Sequence, residues 1–149
     1  ASVYCKEGNP PGSWYDHDAS AIAIFEMNNN VVYTYRGSWC SEGLNTTWEC
    51  DWRIIGDKGS LTWDGSDGFK ADIVSETGGF RSACLPAAVP EHDPTDRVGG
   101  HEGIIHEFVE CVQRGGTPET TGSNNIRSLA MVFGAIDSAE KNLPVGISW

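Results

Sequence analysis

The last third of the chain carries two apolar stripes at helical spacing, and these constrain the fold more than any other feature. Over residues 101–114, Ile104, Ile105, Phe108, Val109 and Val112 recur at the three- and four-residue intervals of one helix face. Gly115-Gly116 supplies a stop. A second helix is expected from Ser123, a good N-cap residue type, with Ile126, Leu129, Val132, Phe133 and Ile136 as its buried stripe. A fully buried side chain of this kind contributes about 1.5–3 kcal/mol, so two such stripes would close one face of a sheet. Asn142 and Pro144 end the second helix, and residues 145–147 can return as an added strand.

The first two-thirds reads as strands. Residues 3–5 form a short strand, and Gly8, Pro10, Pro11 and Gly12 make residues 6–18 a loop. Residues 22–27 are rich in β-formers, Asn28-Asn29-Asn30 tolerates the left-handed conformations of a tight turn, and residues 31–39 return as a hairpin. Both faces of that return strand carry side chains to cover (Val31, Tyr33 and Tyr35; Val32, Thr34 and Arg36), which places it centrally in the sheet. Residues 47–55 alternate, with Trp48, Cys50, Trp52 and Ile54 on one side and Thr47, Glu49, Asp51 and Arg53 on the other. Turns at Gly56-Asp57-Lys58-Gly59 and Gly65-Ser66-Asp67-Gly68 separate two further strands, at residues 60–63 and 69–74. Residues 76–100 are punctuated by Gly78, Gly79, Pro86, Pro90, Pro94, Gly99 and Gly100, and an irregular connection of that length is functional or disordered. Strands first and helices last indicate an α+β fold: a largely antiparallel or mixed open sheet with helices on one face.

At 149 residues the chain is long enough for one domain burying roughly 70% of its unfolded surface. No apolar run approaches the ~20 residues of a membrane span, and no signal-peptide pattern is present. The formal charge of −11 repels phosphate backbones and anionic lipid, so nucleic acid and membrane are excluded as partners and a neutral ligand is favoured. The five cysteines (Cys5, Cys40, Cys50, Cys84 and Cys111) are odd in number and lack C-x-x-C spacing, which argues for reduced thiols in a cytoplasmic setting. His17-Asp18 and His92-Asp93 are adjacent pairs that rarely converge on one metal, and His101 and His106 point from different helix faces; no metal site is expected. Neither a G-x-S-x-G nor a cysteine–histidine signature marks a nucleophile.

The G-x-G-x-x-G fingerprint is also missing, as is any strand–glycine turn–helix unit near the start. The glycines at 56, 59, 65 and 68 fall between strands and open no helix, so they offer no helix N-terminus to a pyrophosphate.

Two segments carry a resemblance. "WRIIGDKGSLTW" looks like the strand–turn–strand of the glucose–fructose oxidoreductase, inositol dehydrogenase and rhizopine-catabolism (Gfo/Idh/MocA) family. "HEGIIHEFVECVQRGGTPETTGSNNIRSLAMVFGAIDSAEKNLPVGI" resembles that family's terminal helix pair and last strand. The resemblance spans about residues 1–147. It implies a two-domain parent whose N-terminal Rossmann domain binds NAD or NADP and is followed by a D-x-x-x-H motif bearing the proton-transfer histidine. No D-x-x-x-H occurs in this chain. The expectation is therefore an isolated C-terminal domain, residues 1–149, that binds substrate and mediates oligomerisation but is inert alone, with no catalytic and no cofactor-binding residue of its own.

On the same resemblance, Trp48 falls where relatives place a substrate-facing aromatic, and His101 where they place a polar or aromatic residue that reaches substrate. An indole stacks on the apolar face of a sugar ring; a neutral imidazole hydrogen-bonds a hydroxyl. Arg97 would clamp a carboxylate or acidic sugar. Against these stand core packing for Trp48, capping or packing for His101 and a plain surface charge for Arg97. Glu49 and Asp51, two apart with Arg53 next, read as a solvated stripe rather than an acid–base pair. Of the six tryptophans, Trp39, Trp48, Trp52 and Trp63 fall in expected strands, and an aromatic sheet face left open by the helices would pack against a second subunit. The rival reading is a stand-alone carbohydrate-binding or assembly module that uses these aromatics as a platform.

Overall fold

The computed structural model describes residues 1–78, 80–89 and 99–149. Contacts divide the chain into two compact units, one containing Ala1–Ser41 with the C-terminal helices, the other beginning at Glu42. The first unit holds β1 (Ser2–Gly8), β2 (Ser20–Glu26), β3 (Val32–Ser38), α1 (Gly100–Arg114), α2 (Gly122–Lys141) and β8 (Val145–Gly146). The second holds β4 (Trp52–Gly56), β5 (Gly59–Trp63), β6 (Lys70–Glu76) and β7 (Ala83–Pro86). Each unit is built on a four-stranded sheet, ordered β3-β2-β1-β8 and β4-β5-β6-β7, and every strand pair among the described residues is antiparallel. The α+β class is as expected.

Alternation explains the core of the first sheet. Val3 and Cys5 on β1 and Ala23 and Phe25 on β2 point to one face and are buried, with Ala21, Met27 and Tyr33 packed around them. The pairs Val3↔Phe25 and Cys5↔Ala23 put these side chains side by side. Phe25 stacks on Tyr33 of the next strand at 5.6 Å. The β2–β3 hairpin closes as expected through the asparagine run: Asn30 takes the left-handed conformation at φ 64°. The added C-terminal strand is also present, β8 pairing with β1 through Ser2↔Gly146 and Val3↔Val145.

Four expectations about the strands are corrected. β1 runs on to Gly8, which pairs with Ser20, so the loop starts later. β3 is an edge strand and not a central one: β1 pairs on the other side of β2, and Val32, Tyr35 and Arg36 remain exposed. Residues 47–51 are not strand, because Cys50 sits at φ 64° in a turn and β4 begins only at Trp52; the stripe of Glu49, Asp51 and Arg53 on one strand face does not form. The irregular segment after β6 contains β7, which joins the second sheet through Ile73↔Leu85.

The helix boundaries follow local chemistry. α1 ends at Gly115 with φ 72°, as the glycine pair required. α2 begins one residue before Ser123: Thr121 is the N-cap, its hydroxyl accepting the Asn124 N–H at 3.3 Å. Asn142 ends α2 in the left-handed conformation at φ 55° and sends its N–H back to the last turn.

The buried face of α2 is the opposite of the expected one. Met131, Ala135, Ser138 and Ala139 pack on the sheet, while Ile126, Leu129, Val132, Phe133 and Ile136 stay exposed. At 100° per residue the two sets lie on roughly opposite sides of the helix. The reason is approach distance. A Cβ at Gly134 would stand 3.3 Å from Val3 Cγ1 and 3.2 Å from Ile147 Cγ1, so only a small-residue face lets the helix come this near the sheet. α1 buries no residue: Ile104, Ile105, Phe108, Val109 and Val112 are all exposed. No described helix is long and apolar enough to cross a membrane.

Candidate functional site

The second unit holds Trp48 on a turn that is clasped to another turn. Cys50 N–H donates to the Thr47 carbonyl at 3.1 Å, and the Thr47 hydroxyl accepts from Glu49 N–H and donates to the Gly65 carbonyl, both at 3.2 Å. Only glycine fits at 65: its φ is 77°, and a Cβ there would lie 2.1 Å from Thr47 Oγ1. Asp64 organises the partner turn, its Oδ1 accepting the N–H groups of Ser66 at 2.9 Å and Gly68 at 3.0 Å.

Aromatic rings frame this clasp. Trp52 and Trp63 are directly opposite across β4 and β5. Trp52 Nε1 donates to the Glu49 carbonyl and Trp63 Nε1 to the Ser66 carbonyl, each at 2.7 Å. Trp63 stacks on Phe69 at 5.3 Å with the rings nearly parallel. The strand alternation sets Trp52, Ile54, Leu61, Trp63, Ala71, Ile73 and Leu85 on one face of this sheet. Trp48 itself is 83% exposed. Of the tryptophans expected in strands, only Trp52 and Trp63 lie in one; Trp39 follows β3, where its N–H donates to the Ala19 carbonyl at 2.8 Å.

His101 is the second residue of α1 and is exposed; it belongs to the first unit, whereas Trp48 belongs to the second. Arg97 lies outside the described residues. Glu49 and Asp51 are exposed beside the turn, not aligned on a strand.

Two features escaped the sequence reading. One is the role of Asp64 in the turn expected at residues 65–68, for which an aspartate ahead of Gly65 and Gly68 was a usable signal. The other is an open groove of about 380 Å³ between the outer side of α2 and the C-terminal segment, lined in part by Ile126, Leu129, Phe133, Ile147 and Trp149. Arg127 lies over the Trp149 ring at 5.6 Å. No spacing rule relates residues of a helix to a terminus that returns beside it.

Titration is perturbed at two neighbours on β1. Burial pushes the Cys5 thiol above its ordinary range, with the Glu7 charge adding to it. Burial also raises Glu7, and the negative charges of Asp18 and Glu140 raise it further. Among the described residues no three His, Cys, Asp or Glu side chains gather to hold a metal ion.

The described residues contain no Rossmann-type strand pairing. A Rossmann pyrophosphate cradle is a parallel β-α-β unit whose helix starts at the strand end, whereas the described strands pair only antiparallel.

Two four-stranded antiparallel sheets and two helices define an α+β domain. Residues 5–147 match the family model described as "Oxidoreductase family, C-terminal alpha/beta domain", and the chain belongs to this Gfo/Idh/MocA oxidoreductase family. Solved structures agree on the fold. Levoglucosan dehydrogenase in complex with NADH and L-sorbose is similar with a TM-score of 0.72 at 16% identity, over 99% of this chain and 44% of that one. An oxidoreductase from Agrobacterium radiobacter in complex with NAD+, L-tartaric acid and magnesium gives 0.70 at 18% identity, over 99% and 43%. An NAD-binding protein from Listeria innocua gives 0.68 at 12% identity, over 97% and 40%. This chain thus spans less than half the length of each. A search of curated proteins found no match.

Proposed function

We propose that this chain is the substrate-binding and oligomerisation domain of an NAD(P)-dependent oxidoreductase acting on a sugar or polyol. The observation that carries the reading is a pairing: the sequence belongs to the C-terminal domain of an oxidoreductase family, and its described strands pair only antiparallel, unlike the parallel strands of a Rossmann cradle. An N-terminal Rossmann domain of the same parent would hold the cofactor, NAD or NADP, which would supply hydride exchange with the substrate's carbinol carbon. The isolated chain is inert.

Within that division of labour the residues here bind and orient. Trp48, exposed on its clasped turn, offers an indole to the C–H face of a sugar ring. His101, at the start of α1, offers a hydrogen bond to a hydroxyl, and Arg97 a clamp for an anionic group. The carbohydrate complex of levoglucosan dehydrogenase supports the substrate class by likeness of fold. The outer stripe of α2 and the uncovered stripe of α1 suit burial against the Rossmann domain. The open face of the first sheet, with Tyr4, Ile22, Ile24 and Val32 exposed, suits contact with a second subunit. The setting is cytoplasmic, in keeping with five free cysteines.

A specific observation favours one rival. The aromatic face of the second unit, with Trp52 opposite Trp63 and Phe69 stacked beside it, resembles a carbohydrate platform that would work without a cofactor domain. One pair of titrations separates the readings. NADH and simple sugars are each added to the isolated chain while tryptophan fluorescence is followed. Failure of NADH to bind at micromolar concentration is expected, and micromolar binding overturns the proposal. Micromolar sugar binding by the isolated chain transfers the case to the stand-alone module.

A further inference from the structure

We draw no further inference here: the strongest candidate, the apolar groove between the outer side of α2 and the C-terminal segment at Ile126, Leu129, Phe133, Ile147 and Trp149, is an open face, and nothing in the structure shows what covers it.

Discussion

The backbone N–H of Cys5 donates to the hydroxyl of Ser138 at 2.9 Å, and that hydroxyl passes its own proton to the Leu143 carbonyl at 2.7 Å. One fully buried serine thereby continues the edge of β1 beyond Val3, the last residue of β1 that pairs with β8, and ties it to the end of α2. Ser138→Ala leaves both partners unsatisfied. The expected loss is about 1–3 kcal/mol in urea unfolding of the isolated chain. A change within experimental error would show that water or a relaxed backbone replaces the hydroxyl.

Gly134 tests the close approach of α2 to the sheet. Its replacement by leucine drives side-chain atoms into Val3 and Ile147, which already lie within 3.4 Å of a Cβ position. Overpacking of this kind costs about 1–3 kcal/mol, and more than offsets the roughly 1 kcal/mol that a better helix former supplies. Thermal unfolding of Gly134→Leu should therefore fall below wild type. A rise would mean that α2 does not sit against β1 as closely as described.

Phe133 and Ala135 are two apart on α2 yet should respond oppositely to charge. Phe133 is exposed, so Phe133→Glu should leave the stability of the isolated chain within about 0.5 kcal/mol in urea unfolding. Ala135→Glu places a carboxylate against the buried cluster and should prevent folding. If Phe133→Glu unfolds the chain, the expected stripe is the buried one after all.

Glu7 gives a pH test with a definite sign. Its carboxyl is raised in the folded state by burial and by Asp18 and Glu140, so the folded chain holds this proton more tightly than the unfolded chain. That contribution is present below the unfolded value of about 4.3 and is lost as pH rises through the folded value. Glu7→Gln, which cannot ionise, should raise the urea midpoint at neutral pH, and the gain should shrink towards about pH 4. A gain that is independent of pH would assign the effect to packing.

Cysteine reactivity reports the same strand. Cys50 and Cys84 are exposed and should react first with a thiol reagent; Cys5, buried and with its thiol raised, should react only after unfolding. Early labelling of Cys5, located by peptide mapping, would show β1 opening locally in the native state.

Much of the organisation was legible along the chain because it is local. The asparagine turn, the Gly56–Gly59 hairpin, the glycine stop of α1 and the end of α2 at Asn142 each depend on neighbours within a few residues. The motif order around "WRIIGDKGSLTW" and the terminal helix pair carried the family, and the matching of residues 5–147 agrees with it. Trp48 was recognisable as an aromatic of interest but not as a turn residue, since the alternation of residues 47–55 is broken by the left-handed Cys50 and not by any change of polarity.

The amino-acid order determined the two helices, their stops and most of the strands, because dihedral preference, capping and apolar period are properties of short stretches. Tertiary structure alone decided which side of α2 meets the sheet, where β3 lies in the strand order and which turn clasps Trp48. Periodicity counts apolar side chains, whereas packing selects the face that can come closest: at Gly134, Ala135 and Ser138 small size outweighs the larger hydrophobic surface of Leu129 and Phe133 on the other side of the same helix.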